Sequence, residues 1–403
     1  MKDTEQALAF SQRPEFYSDV SRAEWQDWRW QQRNAVKDIK SLERVFPRIQ
    51  HSLVDAADGW QKRGFRYALT PYMMSLVKID QIGNPILSDP VWRQFFPFTT
   101  IGTGKLNGRA DEYSASRDNW ESPDEMITPI CQWKYDNRAI IYTADYCLAY
   151  CIFCLRSLQS TDPHEKHGGR PHWQATMEAI RNRPEINEVI ISGGDPMVYD
   201  NAVLDEMLHD IRDIPSVEMI RIHTRAWTHN PYRIDEGFCE LLRRHEVTEM
   251  AVHVNHPDEI SDDLHEAIGR VRESGARTIL LSQSALLKGV NDDADVLRKH
   301  FLTLYASGVK PYYFLHCMPN VPAAHEQRTS VRRGAELMAT LKRHISNPAM
   351  PEYCIVHETG KKTVPEPLEG TSEFVYTRWD DGHPIIRFKN WKGVWCEYLD
   401  GID

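Results

Sequence analysis

No stretch of this chain is long and apolar enough to cross a bilayer. Its apolar runs are short, such as RTILL at 277–281, against the ~20 residues a spanning helix needs. The N-terminal MKDTEQALAFSQRPEF lacks the apolar core of a secretory signal. A cytoplasmic protein with no membrane partner is expected. An excess of basic charge is missing too: 48 Lys and Arg stand against 58 Asp and Glu, for a net charge of -10. That is the wrong sign for a general binder of phosphate backbones, so no nucleic-acid partner is expected. Cysteine is scarce, with eight in 403 residues. Five of them (Cys131, Cys239, Cys317, Cys354 and Cys396) are scattered singly, the pattern of buried small hydrophobes in a reducing compartment. Repeats and low-complexity tracts are absent. With 41% hydrophobic residues the chain is neither disordered nor fibrous, and its length allows one large or two ordinary domains.

What is present falls into three regions: 1–115, 116–345 and 346–403. The first is helical in pattern. SRAEWQDWRWQQRNAVKDIKSLERVF (21–46) has helical periodicity, with Ser21 as N-cap and Glu24 three residues on. Trp25, Trp28 and Trp30 cannot share one helix face, so one of them packs on another element. YALTPYMMSLV (67–77) is a second helix, with Pro71 near its start. From residue 137 short β-branched runs alternate with amphipathic stretches. The runs are 138–143, 187–194, 218–225, 249–256, 277–284 and 310–317; the helices are 172–182, 201–212, 234–244, 262–274, 293–306 and 330–344. About six βα units in a row predict an α/β fold with a parallel sheet forming a full or partial TIM-type barrel. A doubly wound open sheet is the alternative, but no G-x-G-x-x-G follows the first strand. After 345 the pattern breaks into an extended C-terminal segment with short strands.

The other three cysteines crowd into YCLAYCIFCLRS: Cys147, Cys151 and Cys154. C-x3-C-x2-C in the loop after the first strand can wrap one corner of a cube, each thiolate on its own iron. A structural zinc ion would want a fourth ligand, which only His164 or His167 could supply. A disulfide framework would need partners and an oxidising compartment. Three ligands on a [4Fe–4S] cluster leave one iron open for a substrate or cofactor. In a βα barrel the strand C-termini share one mouth. There lie Gly193, Gly194 and Asp195, then His223 and Arg225, Asn255 and His256, Gln283 and Ser284, and Cys317.

With this cysteine spacing the chain resembles the radical S-adenosylmethionine (SAM) enzymes, whose open iron binds the amino and carboxylate groups of SAM. The blocks WQDWRWQQRN, LTPYMMSL, ISGGDP, RIHTR, VNHPDEI, SQSALLKGVND and VKPYYFLHC are similar, in order, to those of the lysine 2,3-aminomutase family from about residue 20 to 390. The resemblance implies a reaction, carried on pyridoxal 5′-phosphate (PLP), in which a deoxyadenosyl radical takes a hydrogen from the β-carbon of an amino acid and nitrogen moves from Cα to Cβ. The product is a β-amino acid. It also implies a small-molecule amino-acid substrate, a reductant such as flavodoxin or ferredoxin, and a homo-oligomer.

Carried over residue by residue, the resemblance puts the SAM amino group at Gly193, Gly194 and Asp195. SAM's ribose and carboxylate, and part of PLP, go at His223, Arg225 and Gln283. The PLP phosphate falls to Lys134, Tyr135 and Arg138, which match the family's R-Y-P-D-R, and the substrate carboxylate to Arg156. In HETGKKTVPEP (357–367) the Schiff-base lysine of the family's G-K-x-P-x-x-P falls best on Lys362, with Lys361 as the alternative. Either lysine has a like charge beside it, which lowers the pKa and favours the neutral amine. Departures bear on the substrate. Lysine-specific members read the distal ammonium with two aspartates. Here Met318 stands in one place, and His357 and Glu358 near the other. A methionine cannot pair an ammonium, so free lysine is not the expected substrate. Met318, Asn320, His357 and Glu358 are the expected side-chain pocket. With Cys396 alone near the C-terminus, no structural zinc is expected.

Overall fold

The structure is a computed structural model that describes residues 9–62, 66–96, 123–154, 170–321, 324–357, 359–365, 374–390 and 392–402. Its centre is a ten-stranded sheet in chain order: β1 (Met126–Thr128), β2 (Cys131–Lys134), β3 (Arg138–Tyr142), β4 (Glu188–Ser192), β5 (Met219–Thr224), β6 (Glu249–His253), β7 (Ile279–Leu286), β8 (Lys310–His316), β9 (Glu352–His357) and β10 (Gly360–Thr363). Strands β3 to β9 run parallel. Strands β1 and β2 lie antiparallel before them, and β10 folds back antiparallel on β9. The six expected strands are β3 to β8, and all six expected helices follow them. A seventh parallel strand, β9, comes from the C-terminal segment. Among the described residues the sheet does not close by strand pairing. Its far edge instead meets the β2–β3 turn through one hydrogen bond, from the Lys361 N–H to the Tyr135 hydroxyl at 3.0 Å. The fold is therefore a partial βα barrel, not a closed one.

Each strand contributes two faces, because side chains alternate. Ala139, Ile141, Val189, Ile191, Ile220, Ile222, Met250 and Val252 point out, into one apolar core shared with the surrounding helices. The residues between them point inward, and there lie the charged side chains of Arg138, Glu188, Arg221 and Glu249 and the polar ones of His253 and Gln283. Burial of the outward face fixes the register, since a one-residue slip would put that charge into the apolar layer.

The helices start where the capping chemistry places them. Ser21 and Glu24 form the reciprocal capping box. The tryptophan run, however, is not one helix. Asp27 ends Arg22–Gln26 and caps Trp28–Arg33, and Asp38 starts Ile39–Val45. This break resolves the crowding of indoles: Trp25 and Trp28 are both buried on different helices. The aromatic core of this region takes in Ala149 and Ile152, so the N-terminal helices hold the cysteine loop from below. After β10, β11 (Phe374–Arg378), β12 (Pro384–Lys389) and β13 (Trp395–Leu399) make a separate antiparallel sheet. It is locked to the end of β8: the Tyr398 hydroxyl meets His316 Nδ1 at 2.7 Å, and Arg328 donates to the carbonyls of Cys317 and Leu399.

Candidate active site

The cysteine loop leaves β3 and is gripped by backbone. The N–H groups of Tyr150 and Ile152 donate to the carbonyls of Ala68 and Gln94 at 3.2 and 3.0 Å. Cys147, Cys151 and Cys154 form no disulfide among the described residues, and each is partly exposed. Among the described residues no three His, Cys, Asp or Glu side chains could hold one metal ion. A cluster spreads its ligands over three irons, so that does not bear on it.

Gly193 and Gly194 sit under this loop. Gly193 has φ +130, and a Cβ there would lie 2.8 Å from the Ala144 backbone. At Gly194 it would lie 2.3 Å from the Tyr146 carbonyl oxygen. The glycines thus admit the cysteine loop, and the Gly194 and Asp195 N–H groups bond it at 2.6 and 3.1 Å. The Asp195 carboxylate is spent inside the protein, accepting from Met197 N, Thr224 Oγ1 and Arg225 N at 2.9, 2.7 and 2.9 Å. It ties β4 to β5.

The other strand-end residues divide in two. Arg225, Asn255, His256 and Ser284 are engaged in protein contacts: Ser284 bonds the Val254 carbonyl and His300, His256 caps Pro257–Glu259, and Arg225 and Asn255 join a buried network described below. His223, His253 and Gln283 face the lumen. The His223 and His253 rings are 6.1 Å apart. Gln283 is 7% exposed, with its side-chain nitrogen unbonded. Burial, with repulsion from Arg225 and Lys361, pushes His253 down to about 4, so it is neutral at neutral pH. By strand alternation His253 shares the inward face of β6 with Glu249, and that face runs from the cysteine end of the sheet to the Lys361 end.

A pocket of about 190 Å³ opens at that second end, lined by Tyr135, Arg138, Tyr313, Glu352, Cys354, Lys361 and Thr363. Lys361 and Lys362 are neighbours on β10, so they point to opposite faces. Lys361 pairs with Val356 and shares a face with Cys354 and Thr363. Its ammonium lies 4.9 Å above the Tyr313 ring. Lys362 is not in the lining. The Lys361 side chain is surrounded by protein yet reachable by water through the open pocket. Burial pushes its pKa from 10.5 to about 8, with Arg221, Arg138 and Lys134 adding repulsion and Cys354 opposing it. Strand alternation thus puts Lys361, the alternative, in the pocket and turns Lys362 away from it.

Of the three residues expected to hold a phosphate, Tyr135 and Arg138 line this pocket and Lys134 does not. Tyr135, at φ 57 in the tight β2–β3 turn, bonds β10. The Arg138 guanidinium lies 5.1 Å over the Tyr135 ring, and Lys134 pairs with Glu125 at 2.8 Å. Beneath them Arg221 bridges Glu188 and Glu249 at 2.6 and 2.8 Å, a floor of paired charge across three strands.

The expected substrate residues are less alike than their numbers suggest. Met318 is buried in an apolar cluster that Phe153 of the cysteine loop packs against. Asn320 is 5% exposed with its side-chain oxygen unbonded. His357 faces the other way, its ring edge on Phe388 and its Nδ1 2.9 Å from Thr359. Burial, chiefly, holds its pKa down at about 4. Arg156 and Glu358 lie outside the described residues. Sequence reasoning missed Tyr313, Glu352 and Cys354 in the pocket. Only the inward period of β8 and β9 signals them.

Comparison with known proteins agrees with this geometry. Residues 141–298 match the radical SAM superfamily. The L-lysine 2,3-aminomutase of Clostridium subterminale is 29% identical over 98% of this chain and 88% of its own length. That of Acetoanaerobium sticklandii is 30% identical over 96% and 88%. The glutamate 2,3-aminomutase of Clostridioides difficile is 28% identical over 89% and 81%. The cofactors of this family are a [4Fe–4S] cluster, SAM and PLP. The residues present fit them: three accessible thiols on one loop, and an amine of lowered pKa beside Arg138 in a pocket at the other end of β3. On near-full-length similarity and on this site, the chain belongs to the lysine 2,3-aminomutase family of radical SAM enzymes.

Proposed function

We propose that this protein is a 2,3-aminomutase that turns an α-amino acid other than free lysine into its β-isomer. The observation that carries the reading is that the two sites lie at opposite ends of the same strand: Arg138 at the start of β3 lines the pocket of Lys361, and the cysteine loop follows the end of β3. The cluster with SAM supplies an organic radical, and PLP supplies the carbonyl that carries the amino group. An external one-electron donor such as flavodoxin or ferredoxin is required. Every other task falls to the chain. Cys147, Cys151 and Cys154 hold the cluster. Lys361 offers a neutral amine, and Arg138, Lys134 and Tyr135 hold a phosphate at the β2–β3 turn. Neutral His253, with His223 and Gln283, lines the space between. Arg156 is proposed to grip the substrate carboxylate.

Substrate choice follows from charge. The relatives' names include both lysine and glutamate, so side-chain selectivity varies across similar chains. Met318 lies among apolar side chains and His357 is turned away onto Phe388 and Thr359, so neither pairs an ammonium. Burying one there unpaired costs several kcal/mol. An uncharged side chain, with Asn320 as its polar partner, fits best. The test is anaerobic reconstitution with iron, sulfide, SAM and reductant, with and without amino acid. The reading expects 5′-deoxyadenosine to form and an amino acid to stimulate it. A loaded cluster that never cleaves SAM overturns it.

A further inference from the structure

The Cys151 sulfur receives a hydrogen bond from Arg225 Nη1 at 2.8 Å. The same guanidinium donates from Nη2 to Glu259 Oε2 at 2.8 Å and to Gln94 Oε1 at 2.6 Å. The rings of Phe95 and Phe153 flank it at 4.6 and 5.1 Å. Arg225 is 7% exposed and Glu259 is 0% exposed. Glu259 is saturated: its Oε1 accepts from Gln94 Nε2 and from the N–H groups of Asn255 and His256 at 2.9, 3.1 and 2.9 Å. Asn255 Nδ2 closes the ring on Gln94 Oε1 at 2.8 Å. A buried ion pair is costly to assemble and weak as a device for stability, and here the guanidinium Nε is left buried without a partner. Its one outward-directed donor points at a sulfur.

We propose that Arg225, held by Glu259 and Gln94, is a positioning residue that sets the reduction potential of the cluster through its hydrogen bond to Cys151. It rests on the cluster alone and not on the substrate reading. The oxidised cluster takes one electron from the external low-potential donor and gains one negative charge. A donor aimed at a ligating sulfur stabilises that added charge and raises the potential. Glu259 opposes it from the far side of the guanidinium, so the two side chains set the value between them. Gln94 couples this to the N-terminal helices, since its backbone carbonyl also holds Ile152 of the cysteine loop.

The opposing signs give the test. Arg225→Lys keeps the charge but loses the fork, so at a fixed potential the reduced-to-oxidised ratio falls about tenfold, a shift of about 59 mV downward for one electron. Glu259→Gln keeps an acceptor but removes the opposing charge, so the ratio rises. The readout is an EPR-monitored redox titration of the full-length reconstituted protein, with iron content and circular dichroism alongside. EPR sees only loaded molecules, so partial loading leaves the sign readable. If only one variant accumulates, its sign decides. Unchanged midpoints, or shifts of both variants in the same direction, overturn the proposal.

Discussion

Lys361, not Lys362, is predicted to carry PLP, and the structure gives the size of the advantage. With its pKa pushed from 10.5 to about 8 in a pocket open to solvent, at most roughly 10% of Lys361 is free amine at pH 7, against roughly 0.03% for an ordinary lysine. That is at most about a 300-fold gain in the form that attacks a carbonyl. The sign follows from the direction of the shift. Burial disfavours the ammonium, so the amine population grows tenfold per pH unit below 8 and levels off above it. PLP uptake by the apoprotein, followed by absorbance, is expected to follow that curve. The perturbation is Lys361→Ala beside Lys362→Ala, with borohydride trapping and peptide mapping of the labelled lysine. Lys361→Ala abolishes the imine band, while Lys362→Ala leaves it. Label trapped on Lys362, or a band that survives Lys361→Ala, would refute the reasoning from strand alternation.

Three further outcomes follow. Arg138→Ala removes the arginine that lines the pocket beside Lys361, and PLP dissociation measured by equilibrium dialysis is expected to weaken about tenfold or more, a charge-assisted bond being worth about 1.5–3 kcal/mol. Gly194→Ala forces a Cβ to within 2.3 Å of the Tyr146 carbonyl oxygen. Strain of about 1–3 kcal/mol should displace the cysteine loop, seen as lost iron after reconstitution while far-UV circular dichroism stays normal. Arg221→Met leaves Glu188 and Glu249 buried without their shared partner. A loss of about 3–5 kcal/mol at neutral pH is expected in denaturant melts.

Much of the fold was legible because burial writes itself into local pattern. Each β-branched run from 138 to 317 became a parallel strand, since the outward face of each has to be apolar to meet a helix. The strand character of EYCIVH was legible too, but its place beside β8 was not. Pairing is settled by contacts far apart in sequence. The same limit explains the lysines. Local context favoured Lys362, whereas the face each presents depends on the pairing of Gly360 with His357 and on Tyr135, 226 residues away from Lys361. GGD read as a ligand-contacting motif. In the fold its glycines make room for the Ala144–Tyr146 backbone, and its carboxylate joins two strands. Gln94 and Glu259 left no spacing signal at all, their side chains meeting across 165 residues.

The central claim is a 2,3-amino shift on an amino acid that is not free lysine. The measurement that tests it most directly is anaerobic turnover of the reconstituted protein, loaded with cluster, SAM and PLP, against a panel of α-amino acids, scored by mass spectrometry for β-amino acids. The account predicts a β-isomer from an amino acid with an uncharged side chain, lysine giving the least. β-Lysine as the preferred product, or SAM cleavage with no β-amino acid from any substrate, would contradict it.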